Sequence, residues 1–216
     1  MYLAVLWAAL PAAHASASSS REWHFEVFLD DKPIGFHTFR LSDAGATREL
    51  SGEARFSVKL LGFTIYDYAH RNLELWRHDC LQRIDARTDD NGEDFHVRGA
   101  MEGEQLVLEN STGNSILPGC VMTFAYWNPA ILSQQRLLNA QTGEYLDVSV
   151  QQLGEHALQL QGRVVAALHY RIRTGESDID LWYSTERDWL ALSTATSGGE
   201  LRYRRVPAVD GSGRIE

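Results

Sequence analysis

Only two cysteines, five prolines and three methionines occur in 216 residues, and several kinds of motif are missing. The histidines that follow the first twenty residues, His24, His37, His70, His78, His96, His156 and His169, stand singly. They lack both the i,i+4 pair and the short Cys/His spacing that zinc requires. There is no Gly-rich phosphate loop and no Gly-x-Ser-x-Gly nucleophile elbow. Cys80 and Cys120 are too far apart for a redox Cys-x-x-Cys. Neither a metal nor another cofactor is therefore expected. No apolar run is long enough to span a bilayer as a helix. Positive charge is also short: 29 acidic against 20 basic residues leave a net charge of −9. Such a chain repels phosphate, which argues against a general nucleic-acid binder.

What is present is a folded composition, 44% hydrophobic with six Trp, eight Tyr and eight Phe, of a length that suits one domain with a sizeable core. The first twenty residues carry no charged side chain and run apolar from Tyr2 to Leu10 before turning to small residues. Small-x-small sites end at Ala15 and Ala17. Residues 1–17 therefore read as a signal peptide, with an uncleaved N-terminal anchor as the alternative. The expected organisation is a signal over 1–17, one β domain over 18–206 and a frayed tail over 207–216, exported to the periplasm of a Gram-negative bacterium. In that oxidising setting the isolated pair Cys80 and Cys120 reads as a disulfide, against two buried free thiols.

Alternation of apolar and polar residues dominates the rest. Trp23, Phe25, Val27 and Leu29 share one face of a strand, and Asp30–Pro33 turns it into a second strand over Phe36–Leu41. Ala54, Phe56, Val58 and Leu60 mark another. Beyond Gly62 a long strand sets Phe63, Ile65 and Asp67 against Tyr66, Tyr68 and His70. Asn91-Gly92 is a strong hairpin signal, because both turn positions accept positive φ. Ser111–Gly119 reads as loop. Asn128-Pro129 offers an N-cap and a first-turn proline, predicting one short helix from Pro129 to about Gln135. Strands over Tyr145–Gln152, Ala157–Gly162, Val164–Arg173, Asp178–Ser184, Trp189–Ala195 and Leu201–Val206 complete the pattern. About a dozen short-looped strands predict a mostly β, antiparallel meander. To protect its edges it curls into a barrel or half-barrel, or folds as a sandwich, with the helix as plug or lid.

Two segments carry unusual chemistry. Leu117–Pro129 is rich in aromatic and sulfur side chains, so it either plugs the barrel, stapled by the two cysteines, or lines a pocket mouth with Tyr126 and Trp127. Tyr66 and Tyr68 are the matching ligand candidates on the long strand. Asp178, Asp180 and Trp182 share one strand face. Carboxylates two apart, roughly 6 to 7 Å, could divide acid and base roles, or could simply form a solvated strand face or pair with Arg171, Arg173 or Arg202 on neighbouring strands.

At these same residues the chain resembles a family of exported bacterial proteins known as a domain of unknown function. The likeness rests on Trp23–Val27, Arg87–Gly92, Leu117–Leu132, Leu137–Gly143 and Asp178–Ser184. More distantly, the ending, Leu181–Ser184, a turn, Trp189–Leu192, a turn and a last strand, is similar to periplasmic lipoprotein-carrier-like β half-barrels. That second likeness implies an apolar interior able to hold acyl chains. Three functions are weighed: a periplasmic binding or carrier module for a lipid-like or other apolar ligand, a hydrolase or isomerase using Asp178 or Asp180 with a nearby His, and a structural or assembly partner in the envelope. The protein is expected as a monomer, and contact with the membrane is left open.

Overall fold

The computed structural model describes residues 19–43, 45–175 and 177–207; the expected signal and residues 208–216 of the expected tail lie outside them. The chain runs as successive antiparallel hairpins: β1 (Ser19–Leu29) and β2 (Lys32–Asp43), β3 (Thr47–Leu60) and β4 (Phe63–Arg77), β5 (Cys80–Asp90) and β6 (Glu93–Glu102), β7 (Gln105–Asn110) and β8 (Gly113–Pro118). A second run holds β11 (Ser149–Leu160), β12 (Arg163–Arg173), β13 (Asp178–Tyr183), β14 (Trp189–Thr196) and β15 (Gly199–Val206). Between the runs, residues 119–148 contain a 3-10 turn (Pro129–Ser133) and a small hairpin of β9 (Arg136–Leu138) and β10 (Tyr145–Asp147).

One thirteen-stranded sheet takes the order β11-β12-β13-β14-β15-β1-β2-β3-β4-β5-β6-β7-β8. The seam joining the two runs is β1 on β15, from His24↔Val206 to Leu29↔Leu201. Flat, thirteen strands would measure roughly 60 Å across. Yet Phe25 of β1, Ile84 of β5, Leu106 of β7 and Leu181 of β13 belong to one buried cluster, which requires the sheet to curl. No ladder joins β8 to β11 among the described residues, so the curl is an open one: of the barrel and half-barrel expected, the closed barrel is not formed.

The concave face is filled by the middle segment. Val121, Met122, Ala125, Trp127, Ile131, Leu137 and Leu138 are buried against Trp23, Trp76, Tyr183 and Trp189 from the sheet. Burial of each such side chain contributes on the order of 1.5–3 kcal/mol, and rings in close contact, such as Phe25 and Trp189 at 4.2 Å between centroids, add to it. The plug expected from Leu117–Pro129 is thus present and longer, reaching Leu138. It is stapled at its start by the Cys80–Cys120 disulfide, beside a backbone bond from Leu81 N–H to the Val121 carbonyl at 2.9 Å.

Two local expectations need correction. The helix from Pro129 to Gln135 is a five-residue 3-10 turn: Asn128 Oδ1 does accept from the Ala130 N–H, as the capping residue predicts, but Gln134 is already extended, so only Ile131 is carried into the core. Ser111–Gly119 is not all loop. Asn110 Oδ1 accepts from the N–H groups of Thr112 and Gly113 and folds the chain back into β8. The Asn91-Gly92 turn forms as read, with φ of 54° and 90°.

Candidate functional site

The inner face of β4 changes character along its length. At one end it continues the core with Trp76; toward the other it presents Glu74, Asn72, His70 and Tyr68 at every second position, the first three of them buried. Buried polar groups at two-residue spacing oblige neighbouring elements to satisfy them or to leave room for something that does. Both happen here. Glu74, 1% exposed, accepts from Asn72 Nδ2 at 2.9 Å, from Trp76 Nε1 at 3.0 Å and from Thr123 Oγ1 of the plug at 3.3 Å. Burial outweighs these bonds and pushes its carboxyl up to about 7. His70 meets Thr88 Oγ1 at 2.8 Å, and burial lowers it to about 4. His37 of β2 stacks on Phe39 at 4.0 Å, contacts Tyr203 Oη at 3.2 Å and is likewise held neutral by burial, with His70 adding to the effect.

These residues form the wall of a cavity of about 270 Å³ between β4 and the plug. Facing them are Phe124, Ala125, Tyr126 and Trp127, with Gln141 and Glu144 from the loop between β9 and β10 at the mouth. The loop is tethered by Tyr68 Oη, which donates to Gln141 Oε1 at 3.0 Å, while Gln141 Nε2 donates to Asp90 Oδ2 at 3.2 Å. Tyr183 Oη holds the opposite wall through the Tyr126 carbonyl at 2.8 Å. Gly52 on β3, directly paired with Asn72, gives the Asn72 amide its place: a Cβ there would lie 2.1 Å from Oδ1. Three buried polar atoms of the lining have no partner: Asn72 Oδ1, Trp127 Nε1 and His37 Nε2.

The ligand candidates therefore divide. Tyr68, Tyr126 and Trp127 line the cavity; Tyr66 does not, its hydroxyl donating instead to Asp90 Oδ1 at 2.7 Å. Asp178 and Asp180 also stand apart from it. Asp180 is gripped by the Arg171 guanidinium through two bonds of 2.9 Å and by His169 Nε2 at 2.8 Å. Burial would raise its pKa, but these partners outweigh it and hold the carboxyl below the ordinary value. Asp178 lies 3.7 Å from Arg171 and 3.6 Å from Arg173. Of the arginines weighed from sequence, Arg171 and Arg173 form the pairing, while Arg202 pairs with Asp31 and Glu200. Among the described residues no group of three or more His, Cys, Asp or Glu is placed to hold a metal ion. Sequence reading missed His37, His70, Asn72, Glu74 and Thr123. The available signal was His70-x-Asn72-x-Glu74-x-Trp76, a polar run on a face whose continuation is aromatic.

Comparison with other proteins agrees with this architecture. A crystal structure described as a β-barrel-like protein of domain of unknown function DUF1849 from Brucella abortus superposes with a TM-score of 0.63 at 12% identity, over 86% of this chain and 94% of that one. That likeness is one of fold. No curated protein matches the chain. The family model described as domain of unknown function DUF6134 matches residues 25–206, nearly the whole of the curled sheet and its plug, and the chain belongs to that family.

Proposed function

We propose that the domain is a binding module that takes a compact small molecule into the cavity between β4 and the plug. The observation that carries this is the unpaired polar lining. Asn72 Oδ1 and Trp127 Nε1 are enclosed, in residues 9% and 4% exposed; neither has a protein partner and neither is open to a water-sized group in the cavity, so a ligand engages them once the surrounding side chains shift. Leaving a buried donor or acceptor unmade costs about 1–3 kcal/mol, so a ligand that supplies the missing partners binds with that much in its favour. At about 270 Å³ the cavity sits near the lower end of ligand pockets, roughly 300–1,000 Å³. Phe39, Leu50, Phe124 and Tyr126 suit an apolar or aromatic body. The lipid-like or apolar ligand expected from sequence is thereby narrowed to a short body with a hydrogen-bonding end. We place the domain in an oxidising compartment outside the cytoplasm, a reading supported by the Cys80–Cys120 disulfide.

Native mass spectrometry on full-length protein expressed with its own N-terminal segment tests the reading. Wild-type protein is expected to carry a stoichiometric small molecule, or to show a saturable thermal shift with small amphiphiles. Trp127→Phe, which keeps a ring and removes the N–H, is expected to weaken either signal about tenfold at least. A bare mass together with no saturable shift from any compact amphiphile would overturn it.

A further inference from the structure

We propose that the cavity's ligand is a compact organic cation, a primary or secondary amine carrying a hydroxyl or carbonyl oxygen; this rests on the binding reading above. Charge on the lining is the first observation. No lysine or arginine lines the cavity, while Glu74 lies at its base and Glu144 at its mouth. Glu74 receives three neutral donors and no cation. A buried carboxyl without a counter-charge is costly when ionised, and a bound ammonium supplies that charge in the same low-dielectric space.

Hydrogen-bond bookkeeping is the second observation. Asn72 Oδ1, packed against Gly52 and reached from the cavity by a turn of its side chain, accepts only, so the group that satisfies it must donate, and an alkylammonium has two or three N–H donors to share between Asn72 Oδ1 and Glu74. Trp127 Nε1 donates only, which asks the ligand for an acceptor oxygen in addition to its amine. Aromatic faces supply the third. Phe124 and Tyr126 border the same space, beside Tyr68, stacked on Phe56, and Trp127, whose ring already carries the Arg48 guanidinium at 5.0 Å, and rings around a desolvated cation contribute about 0.5–2 kcal/mol each where the geometry is met. An anionic ligand would meet the reverse: two carboxylates, and His37 and His70 held neutral by their burial.

Three probes that share one ring separate the alternatives by calorimetry on the full chain: tyramine, a cation; 4-ethylphenol, neutral; and 3-(4-hydroxyphenyl)propanoate, an anion. At about pH 8 tyramine is expected to bind at least about tenfold more tightly than 4-ethylphenol, the equivalent of roughly 1.4 kcal/mol, with the anion weakest. The titratable groups bordering Glu74's space are His37, His70, Glu144, Tyr68 and Tyr126; burial lowers His37 and holds His70 neutral above about pH 5. The preference for tyramine should therefore shrink as Glu74 protonates toward that pH, with 4-ethylphenol unaffected. This wild-type comparison needs no variant. Glu74→Gln adds a second arm, expected to bring the ratio of tyramine to 4-ethylphenol affinity down to about one. If 4-ethylphenol or the anion binds as tightly as tyramine, the cation assignment falls and the binding module stands. If none of the three gives saturable heat, the cation assignment falls, and the binding module is decided by the bound mass and the thermal-shift series.

Discussion

Replacing Glu74 by Gln should change how stability depends on pH, and the direction follows from its surroundings. The carboxyl is buried at 1% exposure and titrates at about 7 instead of 4.5. Below about pH 4.5 it is protonated in both folded and unfolded chains and has no effect on the balance. Above that pH the unfolded chain ionises while the folded one holds its proton, so stability falls as pH rises, and the loss is complete just above pH 7. A tenfold change in proton affinity is worth about 1.4 kcal/mol, which makes the full loss about 3 kcal/mol. His70, moved from 6.5 to about 4, acts in the opposite sense: its contribution is present above about pH 6.5 and is lost as pH falls toward 4. His37, also lowered by burial, acts in the same sense as His70, so in wild-type protein Glu74 offsets only part of the histidine slope. Gln cannot ionise, so in Glu74→Gln only the histidine slope remains. The substitution also places an amide N–H₂ against one of the donors Asn72, Trp76 or Thr123, a cost that does not depend on pH and cancels in the comparison. Urea unfolding at several pH values between about 4 and 8 measures it. Relative to wild type, the variant should gain about 3 kcal/mol across that range. A difference between the two proteins that stays constant with pH would refute the buried-carboxyl argument.

Other outcomes follow from the same geometry. Gly52→Ala places a Cβ 2.1 Å from Asn72 Oδ1, displacing the amide from Glu74; it should cost about 1–3 kcal/mol and move the Glu74 titration still higher, both read from the same unfolding series. Cys80→Ser with Cys120→Ser should destabilise oxidised protein by about 3–4 kcal/mol and leave reduced protein unchanged; equal effects in both states would mean that the link does not constrain the chain. Tyr183→Phe removes the bond to the Tyr126 carbonyl and should cost about 1 kcal/mol, with faster amide exchange confined to residues 122–128. Leu61→Ser with Phe63→Ser alters a hairpin tip that is 91% and 75% exposed, so unfolding should shift by no more than about 0.5 kcal/mol.

The strands were legible because a half-buried sheet imposes a period of two on residues such as Trp23, Phe25 and Val27, and because Asn91-Gly92 leaves few conformations open. The order of strands was not. Nothing local to β1 or β15 says that the two pair, since the ladder between them depends on every hairpin lying between. β8 escaped because its turn is made by one side chain, Asn110, amid residues that otherwise read as loop. The cavity was only half visible. Tyr68, Tyr126 and Trp127 stood out as aromatics, whereas Asn72 and Glu74 look like the solvent side of any strand until the plug covers them. Asp178 and Asp180 stood out for their spacing, and the arginines of β12 account for both.

The seam between β1 and β15 also has a kinetic side. Every other ladder in the large sheet joins strands next to each other along the chain, so both runs of hairpins can assemble from local contacts as they appear. The seam alone joins residues roughly 180 apart and waits for the final strand. Until Gly199–Val206 arrives, the molecule has two extra bare ladders, one on β1 and one on β14, each a template for pairing with another chain. A protein cut short before β15 would therefore be at risk of aggregation well beyond what the loss of one eight-residue edge strand suggests. Its last strand is the piece that joins the two runs of hairpins into one sheet.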